Sequence, residues 1–204
     1  QETIVYSFAV IGEIPQDLKF KGEKTFLEIG DNNKIREYVT INPGTEGGGG
    51  KTKVGNNCLF MVSSHIAHDC IVGDNVILSN LATLGGHVEI GDWAILGGGV
   101  LVHQFTKIGE HSLIGGGFRV VQDVPPYILA ADYPLKFRGV NLIGLKRRGV
   151  CKEDRRLIKK AYKIFFRSGL NRKNALEKIE LDLPETNVVQ NILKFINQSK
   201  RGII

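Results

Sequence analysis

Residues 54–120 read VGNNCLFMVSSHIAHDCIVGDNVILSNLATLGGHVEIGDWAILGGGVLVHQFTKIGEHSLIGGGFRV, and every sixth position is apolar: Val54, Phe60, Ile66, Val72, Leu78, Leu84, Ile90, Leu96, Val102, Ile108, Ile114 and Val120. Chance would break such a run early in a chain that is 42% hydrophobic. Four residues after each apolar position the side chain is mostly small, as at Cys58, Ser64, Cys70, Ala82, Ala94 and Ser112, with Phe118 the bulky exception. Glycine often follows the apolar residue (Gly55, Gly73, Gly91, Gly109), where a turn needs backbone freedom. A period of six is neither the 3.6 of a helix nor the 2 of an alternating strand. It marks a hexapeptide β-helix, in which six residues make one wall and its corner. The fold class it predicts is an all-β left-handed parallel β-helix, with three walls and eighteen residues to a coil.

That geometry turns sequence spacing into proximity. Ile66, Leu84 and Val102 are eighteen apart and open the same wall in successive coils, about 4.8 Å from one another. His68, His87 and His103 follow them by two, three and one residues, and His65 is placed just before the corner leading into that wall. Four of the five histidines thus converge on one edge, and His111, in the hexad opened by Ile108, lies on another wall. A single coil histidine is most simply a surface polar group. Four on one edge make a candidate site, since imidazole is the commonest general base and metal ligand near neutral pH.

At 204 residues the chain has room for one repeat domain and a small appendage. No apolar run approaches the roughly 18 residues of a membrane span, and no signal-peptide pattern opens the chain. Three scattered cysteines, Cys58, Cys70 and Cys151, predict reduced thiols and a cytoplasmic location. The chain starts in period, with Ile4 and Val10 six apart, which implies further coils upstream of Gln1. Ile29, Ile35 and Ile41 are also in period, and two excursions interrupt the coil, at 12–28 and at 42–53, the second with four glycines at 47–50. Loops bulging from a rigid scaffold are where binding groups are usually placed. The division predicted is a β-helix over 1–130 and a linker with a basic helical domain over 131–204. Beyond Val124-Pro125-Pro126, which cannot continue a ladder, the linker runs to about Gly149. One helical face follows, marked by Leu157, Ala161, Ile164 and Phe165, with Gly169 as its stop. Two more helices are expected, near 172–181 and around Val188–Ile196, the group capping the open end of the coil.

Charge divides at the same boundary. Residues 1–132 carry net −6 and residues 133–204 net +12, giving +6 overall. A basic module on an acidic scaffold predicts an anionic partner. An acidic carrier protein and a nucleotide diphosphate both fit, as does a merely solvated basic surface. Nucleic acid is disfavoured, because few aromatics interleave the basic residues and no nucleic-acid motif is present.

The segments SSHIAHDC (63–70), LGGHVEIGD (84–92), VHQF (102–105), QDVPPY (122–127) and GVNLIGLKRRG (139–149) together closely resemble the acyl-[acyl-carrier-protein]–UDP-N-acetylglucosamine O-acyltransferase family. IGEIPQDLKFKGE (11–23) and IREYVTINPGT (35–45) extend the resemblance over essentially the whole chain. It implies a homotrimer with active sites between subunits, a 3-hydroxyacyl donor carried by acyl carrier protein, UDP-N-acetylglucosamine as acceptor, and the first step of lipid A biosynthesis. It implies no cofactor and no metal. It makes His68 the general base, Asp69 its carboxylate partner and the Gly86 N–H an oxyanion donor. Asp17, Lys19, His65, His87, His103, Gln104, Asn141 and Arg147 become substrate-binding residues, and Gly116 the limit on acyl-chain length. Two positions depart from the family: Ile143 stands where a carboxylate is usual, and Pro134 where a histidine is common.

Three alternatives use the same coil. A zinc hydro-lyase of the γ-carbonic anhydrase type would take three ligands from His68, His87 and His103 with a fourth position open, but leaves the basic domain without a purpose. The related N-acyltransferase of the same pathway is organised differently after the coil. A non-catalytic scaffold would have no need of His68 beside Asp69.

Overall fold

The structure, a computed structural model, describes residues 2–204. Short strands fall on three faces, and every third one pairs in parallel. Wall one holds Ile4–Val5, Lys34–Ile35, Leu59–Phe60, Ile77–Leu78, Ile95–Leu96 and Leu113–Ile114, then Ile128–Ala131 and Lys136–Val140. Wall two holds Val10–Ile11, Thr40–Ile41, His65–Ile66, Thr83–Leu84, Leu101–Val102 and Arg119–Val120. Wall three holds Phe26–Ile29, Lys51–Val54, Ile71–Val72, Glu89–Ile90 and Lys107–Ile108. In the uninterrupted coils the register is the expected eighteen residues: Ile66 pairs with Leu84, and Leu84 with Val102. This is the left-handed parallel β-helix.

The periodic apolar residues fill the shaft. Phe60, Ile66, Leu78, Leu84, Leu96 and Ile114 are fully buried, and so are the small residues Cys70, Ala82 and Ala94. Each buried Leu or Ile contributes about 1.5–3 kcal/mol relative to exposure, so the shaft is stabilised coil by coil. Burial pushes the Cys58 thiol up to about 11 and the Cys70 thiol up to about 12, which makes both inert packing groups.

Corners carry a second period of six. Every sixth residue from Asn57 to Gly117 has positive φ, between 56° and 77°, including Asp69, His87, Trp93, Phe105 and His111. Such backbone costs a non-glycine residue about 1–2 kcal/mol. The coil below offsets part of this by accepting the corner N–H: His87 donates to the His68 carbonyl at 3.0 Å, and Phe105 to that of Gly86 at 3.0 Å.

The structure refines several boundaries. Wall-three strands pair over four residues at Phe26–Ile29 and Lys51–Val54, so the excursions occupy 12–25 and 42–50, each ending three residues before the sequence reading placed it. The coil does not end at the prolines. They sit in a corner, Val124 bridges Ile108, and wall one resumes as Ile128–Ala131 on Leu113–Ile114. The expected linker is an antiparallel hairpin, Ile128–Ala131 with Lys136–Val140, followed by helix α1, Leu142–Arg147.

Three further helices follow: α2 at Lys152–Arg167, α3 at Arg172–Asp182 and α4 at Asn187–Gln198. In α2 the buried face is Leu157, Ile158, Ala161 and Tyr162, rotated from the expected one so that Ile164 and Phe165 are half-buried. Tyr162 ties this layer to the coil by donating to the Pro126 carbonyl at 2.6 Å, and Ser199 donates to Asp123 at 2.6 Å.

Candidate active site

The chain passes the corner between walls two and three five times before the prolines: at 12–25, 42–50, 67–70, 85–88 and 103–106. The first two passages are the excursions. The next three are tight and carry His68 with Asp69, Gly86 with His87, and His103 with Gln104 and Phe105. Convergence of the chemistry-bearing residues therefore follows from coil geometry. His65 lies on wall two itself rather than before the corner, and its Nδ1 is 2.6 Å from the Thr40 hydroxyl.

Asp69 anchors the group. Its side chain is fully buried, and its Oδ1 accepts the Thr45 N–H at 2.8 Å. Oδ2 accepts the Thr45 hydroxyl at 2.7 Å and faces His68 Nδ1 at 2.7 Å. A carboxylate can only accept, so Nδ1 of His68 carries the hydrogen and Nε2 is left with a free lone pair. A Cβ at Gly86 would fall 2.7 Å from that Nε2. The Gly86 backbone thus lies against the basic edge of the ring, closer than any other residue type allows. Among the described residues no protein acceptor takes the Gly86 N–H.

His87 meets His68 edge to face, with ring centroids 5.1 Å apart, and stacks on Phe105 at 4.3 Å. Its Nε2 lies 3.8 Å from Asp69 Oδ2. Burial holds its pKa below the usual histidine value, against the opposing pull of Asp69 and, more weakly, Asp17. His87 is therefore a neutral hydrogen-bonding group at neutral pH. The first excursion folds against the second, whose Thr45 holds Asp69. Asp17 to Glu23 and Thr45 to Gly47 line a cleft of about 790 Å³, and Lys19 is exposed there, its N–H bonded to the Asp17 carboxylate at 3.0 Å. Burial, and secondarily His68, lowers the pKa of His65. His103 donates from Nδ1 to the Gln104 carbonyl at 3.1 Å, and the Gln104 side chain is exposed.

Within one chain three of the expected site residues stand apart. Asn141 is the N-cap of α1: it accepts the Gly144 N–H at 3.1 Å and donates to the His111 carbonyl at 3.0 Å. That places it, and Arg147 at the end of α1, at the corner between walls three and one. There Arg148 lies 5.2 Å over Trp93 and 3.2 Å from Nδ1 of His111, which stacks between Trp93 and Tyr127. Gly116 is at the third corner, where its Cβ would sit 3.0 Å from the Gly98 carbonyl, so the backbones pack closely. Ile143 is exposed.

The zinc alternative asked for His68, His87 and His103. The groups whose ligand atoms lie within 4.8 Å of one another are instead His68, Asp69 and His87, with His103 a coil away on a backbone carbonyl. Sequence reasoning missed Thr45, Thr52, whose hydroxyl accepts the Asp69 N–H at 2.8 Å, and Gly48, where a Cβ would overlap the Asp69 carboxylate. The glycine run at 47–50 was the one available signal of such close approach.

A parallel hexapeptide coil with a His–Asp pair and a glycine peptide at its edge defines a hexapeptide-repeat transferase, and residues 51–86 match the profile of bacterial transferase hexapeptides. The chain belongs to the UDP-N-acetylglucosamine O-acyltransferase family. Residues 123–204 match that family's second domain. Over 199 residues the chain is 52% identical to the acyl-[acyl-carrier-protein]–UDP-N-acetylglucosamine O-acyltransferase of Nautilia profundicola, covering 98% of this chain and 76% of that protein. The enzyme of the same name from Thermodesulfovibrio yellowstonii is 49% identical, over all of this chain and 79% of its own length. The solved UDP-N-acetylglucosamine acyltransferase of Bacteroides fragilis superposes with a TM-score of 0.96 at 48% identity, covering 98% of this chain and 78% of that one.

Proposed function

We propose that this chain moves a 3-hydroxyacyl group from acyl carrier protein to the 3-hydroxyl of UDP-N-acetylglucosamine, the first step of lipid A biosynthesis. The observation that carries this is the His68–Asp69 pair at 2.7 Å, with the Gly86 peptide against Nε2, in a chain of this family. His68 Nε2 takes the proton of the sugar 3-hydroxyl as its oxygen attacks the thioester carbonyl. Asp69 holds the imidazole in the required tautomer and stabilises the imidazolium that forms. The Gly86 N–H faces the oxyanion of the tetrahedral intermediate. On collapse the C–S bond breaks, the thiolate leaves with the proton from His68, and the ester remains.

Neutral His87, with His65, His103, Gln104, Asp17 and Lys19, positions the acceptor along the same edge. Asn141 and Arg147 lie at another corner, so a homotrimer supports their role: a neighbouring subunit would bring them to His68, with Arg147 suited to bidentate phosphate binding. The net +12 of residues 133–204 supports docking of an acidic carrier. Among the described residues no helix is long and apolar enough to cross a membrane, and with three free cysteines a cytoplasmic location fits. The test is mass-spectrometric detection of acylated UDP-N-acetylglucosamine from a panel of 3-hydroxyacyl carriers. His68→Ala should lower kcat about 10²–10⁴-fold. No product from the wild type, or an undiminished His68→Ala rate, overturns the reading.

A further inference from the structure

We propose that Thr45, on the second excursion, is the positioning residue that commits the Asp69 carboxylate to His68, a role that rests on the acyl-transfer reading. Two imidazoles compete for one oxygen: Asp69 Oδ2 is 2.7 Å from His68 Nδ1 and 3.8 Å from His87 Nε2. Either could be served by a small rotation of the carboxylate. Thr45 prevents it by gripping both oxygens, Oδ1 through its N–H at 2.8 Å and Oδ2 through its hydroxyl at 2.7 Å.

The loop is built to hold that grip. The Thr45 carbonyl accepts the N–H of Gly48 at 3.0 Å and of Gly50 at 2.7 Å, closing the turn on the threonine. Gly48 presses on the carboxylate from the other side, where any Cβ would lie 2.0–2.3 Å from its atoms. Thr52 fixes the Asp69 backbone. Thr45 and Gly48 thus fix the carboxylate with Oδ2 at bonding distance from His68 and beyond it from His87, and an unanchored buried carboxylate would turn to satisfy whichever donors remained.

The test compares Thr45→Val, which keeps the N–H and replaces the hydroxyl by a methyl, with Thr45→Ser, which restores the hydroxyl. Hydrogen bonds to charged groups are worth about a ten- to hundredfold change. The valine variant should lose that factor in kcat with KM for both substrates little changed, and serine should recover most of it. Histidine ring ¹⁵N signals give a second readout that needs no substrate. The wild type should show His68 as a single Nδ1–H tautomer, and the valine variant a mixture. A valine variant with wild-type kcat and a single tautomer overturns the proposal, as does a serine variant as impaired as valine. Should the valine variant not fold, Thr45→Ala carries the same expectations and the same refutations. If the wild type makes no product, the acyltransferase reading falls while the ring signals still decide the role of Thr45.

Discussion

Replacing Gly86 by alanine perturbs the proposed base by one methyl group and removes no functional group. The new Cβ would lie 2.6 Å from Cε1 and 2.7 Å from Nε2 of His68. Carbon contacts are comfortable at about 3.5–4.0 Å, so the ring must retreat by about 1 Å. It is tied to Asp69 at Nδ1, so retreat either breaks that bond or swings Nε2 away from the acceptor hydroxyl. Misplacing a reacting group by about 1 Å costs about 10²-fold, or about 2.7 kcal/mol in ΔG‡. The assay is steady-state acyl transfer for wild type, Gly86→Ala, His68→Ala and the double variant. Gly86→Ala should lower kcat about a hundredfold on the wild-type background and far less where His68 is already alanine, because the effect passes through that ring. A Gly86→Ala enzyme with wild-type kcat, or an equal loss on both backgrounds, would refute the reasoning.

Burial lowers the folded-state pKa of His65, His87 and His111 from 6.5, so the unfolded chain takes up protons first as pH falls. The melting temperature should then drop as pH goes below about 6.5, and His111→Gln should flatten the slope; a melting temperature level from about pH 8 to 5 would contradict the assignment. Association with the acyl carrier should weaken with salt, since exposed charges are screened over about 8 Å at physiological ionic strength. Reversing Lys159 and Lys163 on the exposed face of α2 should raise the carrier's KM more than the nucleotide's, whereas a salt-independent rate would remove the basic surface from docking. Wild-type enzyme should prefer long acyl donors, and Gly116→Met shorter ones. Four methylenes are worth about 3 kcal/mol, and an unchanged kcat/KM profile across donors would assign the length limit elsewhere.

The six-residue period was enough to read the shaft, because a residue that must fill a narrow interior leaves its mark at every recurrence. Ile66, Leu84 and Val102 share a wall as the spacing demanded, and with them came the edge that gathers His68, Asp69 and His87. The positive-φ corners were not legible. Asp, His, Trp, Phe and Gly all occupy them, because the coil below satisfies the backbone and leaves the side chain unconstrained. Thr45 was hidden for a different reason: it reaches Asp69 from 24 residues away, across a loop whose fold no period describes. Pro125 and Pro126 were misread as a stop because in their corner the bond to the coil below is made by Tyr127, whose N–H donates to the Glu110 carbonyl at 2.8 Å, so neither proline is asked for a donor. Asn141 was read through the family's ligand contacts, while locally it caps α1 and uses both its amide oxygen and its amide nitrogen there.

The two excursions and the three tight passages leave through one corner, so the site is assembled in whole steps along the shaft. His68 and Gly86 are one coil apart and His103 is two, and the separations come in units of about 4.8 Å. Extra residues at a corner are looped out and leave the later coils on their walls, as the two excursions show by pairing Val10 with Thr40 and Ile41 with Ile66, whereas one extra residue within a strand would turn its inward side chains outward. Eighteen inserted residues would return each side chain to its own corner and merely lengthen the gap by one unit. This protein's active-site geometry is in that sense quantised: changes along the axis are restricted to whole coils, and finer adjustment is left to the loops that lean over the edge.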